Sequence, residues 1–421
     1  MRGRVLVSLA FRSLANRRLT AGLTVLSVAV SVALLIGVDR LRTEARASFT
    51  STISGADLIV GARSGPINLL LYSVFRIGDA TNNITWDSYG QIAARPGVAW
   101  TIPISLGDAH RGFRVLGTDT GYFTHYRFGR ERSLEFAEGE VFNRVNDAVL
   151  GADVANALGY AVGDRIIVSH GIGDVSFEHH DELPFLVTGI LRRTGTPVDR
   201  TVHVTLAGIE AIHADNDPRQ YAGQGVDAAG IVAGELEPDA ITACIVGLES
   251  RLMVFSLQRF INEYEREPLM AIVPGVTLQQ LWELVGVAET ALLGVSAFVI
   301  AAGLVGLLTT LLTSLAERRR EMAVLRSMGA GPGMVFGLLV TEAVILAGTA
   351  AVAGVTVIHA GMFAARPFVL ERFGLYLAPG LPGWFDGAVV AVVTIAAGVI
   401  AALPAWRAYR YSLADGLSIR T

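Results

Sequence analysis

Three stretches of this chain, Leu19–Val38, Thr290–Ala316 and Gly387–Trp406, carry no ionisable side chain, and a fourth, Met334–His359, carries only Glu342 and, at its end, His359. About 20 apolar residues at about 1.5 Å rise cross the roughly 30 Å hydrocarbon layer of a bilayer. A chain with four such runs folds in lipid, because inside a bilayer a helix satisfies its own backbone hydrogen bonds. The 52% hydrophobic content over 421 residues agrees with that reading. The second run is longer than a bilayer requires, so its helix either tilts or projects as a stalk.

Arginine placement gives the expected orientation. Arg2, Arg4, Arg12, Arg17 and Arg18 precede the first run, Arg318, Arg319, Arg320 and Arg326 separate the second from the third, and Arg407, Arg410 and Arg420 follow the fourth. The loop between the third and fourth runs holds only Arg366 and Arg372. Both termini are therefore expected in the cytoplasm of a bacterial cell, with the chain multi-pass in the inner membrane. The expected order is an interfacial helix over 1–18, a span over 19–42, an external domain over 43–282, a span with stalk over 283–316 and a cytoplasmic segment over 317–333. A third span over 334–360, an external loop over 361–385, a fourth span over 386–406 and a tail over 407–421 complete it. Arg4, Ser8 and Arg12 lie opposite Leu6, Ala10 and Leu14, a pattern that suits a helix lying on the inner leaflet or a plain basic flank. "ARA" at 45–47 resembles a signal-peptide cleavage site, but the apolar core is long for one and Arg40, Arg42 and Arg46 crowd it.

The external segment alternates apolar and polar residues between turn signals, as in "GDRIIVSHG", "PFLVTGILRR" and "RTVHVTL". Helical patterns are fewer: 147–159, 205–215 and 256–267. An α+β domain follows, with a membrane-proximal lobe from 43–125 and 235–282 and an inserted lobe over 130–230. Cys244, the one cysteine, lies in the apolar run "ITACIVGL" and reads as a buried thiol. His170, His179 and His180, beside Asp181 and Glu182, are weak metal candidates, since adjacent histidines share no helix face and no ligand spacing supports a site. A solvated hairpin tip is the competing reading, and no metal is expected. Catalytic motifs are missing from the sequence, so no catalytic residue is assigned.

All 34 basic residues are arginine. Without lysine these residues cannot form a Walker A loop, so no ATP-hydrolysing activity is expected in them. The formal net charge of −4 argues against a nucleic-acid partner. The segment "ERRREMAVLRSMGAGPG" at 317–333 stands out between two apolar runs. Met322, Leu325 and Met328 make an apolar edge flanked by Glu317, Arg318, Arg320, Glu321 and Arg326. That is a shape for docking in a partner's groove or, as the bland alternative, a solvated positive loop. Glu342 is costly inside lipid and faces protein or water; it is expected near the interface with Arg17 or Arg18, with a proton or substrate site as the alternative. Gly294, Gly303, Gly306, Gly348 and Gly354 either permit close helix packing or are merely tolerated.

"ERRREMAVLRSMGA" with "VFGLLVTEAVILAGTAAVAG" resembles the core of the FtsX-like permease domain shared by MacB-type, LolC/LolE-type and FtsX-type ABC transporter permeases. "LPAWRAYRYSLADGL" resembles its C-terminal part, although the usual Asp-Pro-x-x-x-Leu-Arg ending is altered at Ser412–Leu417. The basic helix and first span resemble the family's N-terminus, and "NDAVLGADVANALGYAVGDRIIV" resembles the inserted lobe of a MacB-like periplasmic domain. The resemblance implies four transmembrane helices with a large α+β periplasmic domain between helices 1 and 2. It implies a coupling helix at Glu317, Arg318, Arg319, Arg320, Glu321, Met322, Leu325, Arg326, Met328 and Gly329, docked on a cytosolic ABC ATPase dimer that carries the ATP and Mg. A second permease copy or a paralogue, and a periplasmic adaptor, lipoprotein or substrate-binding protein, are the other implied partners, with membrane lipid. The implied function is mechanotransmission: ATP-driven motion reaches the periplasmic domain for lipoprotein or lipid extraction, or for export of a peptide or small molecule. The alternatives are activation of a cell-wall hydrolase, and a metal-linked membrane protein using the external histidines.

Overall fold

The computed structural model describes residues 2–52, 54–129, 131–170, 184–213, 237–317, 331–373 and 381–410. The chain divides into two compact units, one of Met1–Glu44, Gly286–Arg366 and Leu377–Thr421, the other of Ala45–Val285 with Pro367–Tyr376.

The first unit is helical. A helix over Arg2–Asn16 precedes four long ones, Arg18–Ser51, Pro274–Glu317, Pro332–Phe373 and Trp384–Arg410. Each contains a stretch long and apolar enough to cross a membrane: Arg18–Ala47, Pro274–Thr313, Gly333–Val369 and Trp384–Trp406. The helices outrun the charge-free segments because the flanking polar residues are themselves good helix formers. The third continues through Pro367 to Phe373 and the fourth begins at Trp384, where the sequence reading placed a loop over 361–385. The bundle interior is built from Val32, Ile36 and Leu307 with Ala343, Ala347, Ala350 and Ala397, all buried. Small residues suit this core, since in lipid close backbone approach replaces the hydrophobic drive between helices. Leu23, Leu26, Phe298, Val357 and Ile395 point outward and are exposed, as lipid-facing side chains are.

The five glycines divide accordingly. A Cβ on Gly354 would stand 2.5 Å from the Ala29 carbonyl oxygen and 3.0 Å from Val32, so the first and third long helices cross in contact there. Gly303 approaches Ser31 and Val28 at 3.3 and 3.6 Å, and Gly348 makes ordinary contact with Thr394, while Gly294 and Gly306 have nothing within 4 Å.

The second unit holds an eleven-stranded mixed sheet. Its main path runs Leu269–Ile272, Leu58–Ala62, Ala243–Leu248, Val98–His110, Phe113–Thr118, Thr201–Thr205, Asp147–Leu150, Phe185–Leu191, Phe136–Gly139. Val98–His110 is the shared strand: Val98–Ile104 pairs with Ala243–Leu248, and Ser105–His110 pairs with Phe113–Thr118. The register shifts between Leu106 and Ala109, at Gly107, so one strand serves two ladders. Segment 147–159 is a strand followed by a helix rather than a helix throughout. Asp147–Leu150, buried along its length, pairs parallel with Phe185–Leu191 and antiparallel with Thr201–Thr205, and the helix starts only at Ala152. Gly151 makes the corner, where a Cβ would lie 2.3 Å from the Val198 carbonyl oxygen. Leu206–His213 and Val254–Asn262 form the other two expected helices.

Candidate functional site

Of the docking segment, Glu317 is the last residue of the Pro274–Glu317 helix; Arg318, Arg319, Arg320, Glu321, Met322, Leu325, Arg326, Met328 and Gly329 lie outside the described residues. His179 and His180 also lie outside them, and of His170 only the backbone is described, in a two-residue strand paired with Asp108.

Glu342 is inside the helical unit and 3% exposed. It lines a cavity of about 670 Å³ together with Arg17 and Arg18, which stand where the Arg2–Asn16 helix gives way to the first long helix. The second long helix contributes Gly306, Thr309, Thr310 and Thr313 to the same cavity. Three charged residues therefore line one cavity at the arginine-rich end of the bundle.

A second charged cluster was not anticipated. Arg40 of the first long helix donates to Asp386 Oδ2 of the fourth at 2.7 Å and to the Leu381 carbonyl oxygen at 3.2 Å. The same carboxylate oxygen accepts the Gly383 N–H at 2.6 Å, and His359 Nε2 of the third long helix lies 3.6 Å away. Two residues along, Arg42 pairs with Glu289 of the second long helix at 2.8 Å. The first long helix thus grips two neighbours through two arginines. Their signal in the sequence was slight: an acid at the edge of an apolar run reads as an ordinary boundary residue, and nothing local names its partner.

In the α/β domain the described histidines are braced rather than poised. His110 Nδ1 is 2.6 Å from the Ile167 carbonyl oxygen and its Nε2 3.1 Å from the Tyr160 hydroxyl. Burial pushes its pKa down, against the carbonyl contact. His203 is fully enclosed, with Nδ1 3.2 Å from the Val149 carbonyl oxygen, and burial with the nearby Arg76 cation holds its pKa at about 3. His125 stacks on Trp100 at 5.0 Å. Asp199 accepts from Thr194 N and Gly195 N, each at 2.7 Å, fixing the turn before Thr201–Thr205. Its pKa is raised by burial, which outweighs those bonds. Cys244 is fully buried in its strand, its thiol pushed up to about 12. Among the described residues no group of three His, Cys, Asp or Glu side chains is placed to hold a metal ion. The ionisable groups tie helix to helix and loop to strand.

Four long apolar helices, with a large α/β domain between the first and second, define a multi-pass membrane protein. Residues 21–238 match the MacB-like periplasmic core domain family, and residues 293–413 match the FtsX-like permease C-terminal family. The chain belongs to the MacB-like family of ABC-transporter permeases. The macrolide export ATP-binding/permease protein MacB of Nitrobacter winogradskyi is 24% identical over 432 residues, which cover 97% of this chain and 59% of that protein. The chain thus spans about three-fifths of that relative's length. The periplasmic region of MacB from Actinobacillus actinomycetemcomitans superposes with a TM-score of 0.35 at 11% identity, covering 55% of this chain and 94% of that one. For the extracellular domain of the ABC-type transporter YknZ from Gram-positive bacteria the values are 0.30 and 13%, over 51% and 98%.

Proposed function

We propose that this chain carries ATP-driven motion from an ABC ATPase, docked on residues 317–329, to its α/β domain, which lies in the periplasm. The observation that carries this is the Pro274–Glu317 helix: 44 residues with no proline after the first. At about 1.5 Å per residue it is roughly 66 Å long, about twice the thickness of a bilayer's hydrocarbon layer. It is one continuous hydrogen-bonded helix that runs up to Glu317, the first residue of the docking segment. ATP and Mg belong to a nucleotide-binding module outside these residues, since the 421 residues contain no lysine for a Walker A loop. The cargo is handled on the periplasmic face as a lipoprotein or lipid-anchored molecule, or as a peptide or small molecule, with a second permease chain completing the machine.

The test is a pull-down of the full chain from detergent-solubilised membranes, beside a variant with Arg319→Glu, Arg320→Glu and Arg326→Glu. Recovery of an ABC ATPase with the first and its loss with the second is the expected result. An ATPase retained equally by both removes this docking segment from the reading.

A further inference from the structure

The lining of the cavity at the arginine-rich end combines two chemistries contributed by different helices. One is cationic, formed by the guanidiniums of Arg17 and Arg18. The other is made of acceptors. Thr309 and Thr313 each donate the hydroxyl proton to the carbonyl four residues back, at 3.0 Å. A hydroxyl whose proton is committed in this way offers an incoming group only its lone pairs. Glu342, on the third long helix, adds a carboxylate to the same lining. Leu14, Leu19, Leu311 and Leu346 supply apolar surface in the same lining.

A ligand that satisfies this arrangement carries a phosphate, a group with N–H bonds and positive charge a few atoms away, and an apolar tail. A choline headgroup has no N–H to donate, and a glycerol headgroup brings no positive charge to Glu342. Most of the lining comes from the first three long helices, each of which holds a membrane-crossing stretch, which makes lipid the source at hand. The volume, about 670 Å³, falls within the range of roughly 300–1,000 Å³ for small-ligand sites. We propose that this cavity binds an aminophospholipid headgroup, its phosphate on Arg17 and Arg18 and its ammonium against Glu342 and the threonine hydroxyls. The site is independent of ATPase docking, and its test does not involve that partner.

The experiment is native mass spectrometry of the delipidated full chain in detergent, titrated with palmitoyl-oleoyl phosphatidylethanolamine, phosphatidylcholine and phosphatidylglycerol. Wild type retains the ethanolamine lipid about tenfold more tightly than the choline lipid. Glu342→Gln brings that ratio to about one with choline-lipid binding unchanged, whereas Arg17→Gln with Arg18→Gln weakens all three lipids at least about fivefold. Should the arginine variant fail to fold, judged by its melting temperature, Thr309→Val with Thr313→Val replaces it and lowers the ethanolamine preference alone. Equal retention of ethanolamine and choline lipids by wild type, or an unchanged preference in Glu342→Gln, overturns the proposal. Displacement of the lipid by soluble phosphoethanolamine at equal concentration overturns it too, by assigning the site to a free phosphoamine.

Discussion

Arg40 and Asp386, 346 residues apart in the sequence, meet at 2.7 Å, and the carboxylate is 2% exposed. Two helices that end far apart along the chain are therefore locked by a charge-assisted bond shielded from water. Removing one partner takes the opposite charge away from the other where water replaces it poorly, leaving Asp386 the Gly383 N–H or Arg40 the Leu381 carbonyl. Asp386→Ala or Arg40→Ala is expected to cost about 3–5 kcal/mol, and the double variant less than the sum of the two. Melting temperatures of the detergent-solubilised chain, assembled into a double-mutant cycle, measure the coupling. Additive losses would remove the pair from the forces holding the bundle.

Gly354 and Gly306 should respond oppositely to the same change. Adding a Cβ at Gly354 drives it into the Ala29 carbonyl oxygen, whereas Gly306 has open space. Gly354→Ala is expected to cost about 1–3 kcal/mol by forcing the two helices apart. Gly306→Ala stays within about 0.5 kcal/mol of wild type. Thermal melting of both variants in the same detergent decides between close packing and mere tolerance at each site.

The α/β domain contains two buried groups whose pH effects oppose. His203 is held at about 3, below the usual imidazole range, so the unfolded chain takes up a proton that the folded chain refuses. Its contribution is present above about pH 6.5 and is lost as pH falls towards 3, at about 1.4 kcal/mol per pH unit. Asp119 is raised to about 6 by burial, against hydrogen bonds from Gly121 and Tyr122. Between roughly pH 6 and 4 the folded chain binds that proton and the unfolded chain does not, so acid favours folding through Asp119. Relative to wild type, Asp119→Asn is therefore expected to steepen the loss of stability over this interval and His203→Gln to flatten or reverse it. Denaturant titrations at pH 4, 5 and 6 report the slopes; parallel slopes for both variants would refute the assignment.

Cys244, enclosed in its strand with the thiol at about 12, is expected to resist N-ethylmaleimide at pH 7.5 and to react only on unfolding. That silence makes it a clean background for testing orientation with added cysteines. Thr421→Cys is expected to be shielded from a membrane-impermeant maleimide in intact spheroplasts and labelled after lysis, while Ala222→Cys is labelled in both. The reverse pattern would invert the arginine-based topology.

Much of this architecture is readable along the chain, since each feature depends on a local property. The four spans follow from runs of apolar residues long enough to cross lipid, the strand-rich insert from alternation between turn signals, and the buried thiol from the apolar run around Cys244. The split of 147–159 into strand and helix escaped such reading. "DAVLGADVANAL" suits either form locally, and what decides is the pairing of Asp147–Leu150 with two strands that follow later in the chain.

The chain's own order of residues determined that it crosses a membrane, which segments do so, and that its ionisable groups concentrate at the ends of those segments. Only the tertiary structure decided which groups face each other: Arg40 with Asp386, Arg42 with Glu289, and Glu342 in one cavity with Arg17 and Arg18. Hydropathy is a property of a run of residues and sums along the chain. A charge pair depends on helix rotation and crossing, set here by contacts such as Gly354 against Ala29 that link residues hundreds of positions apart.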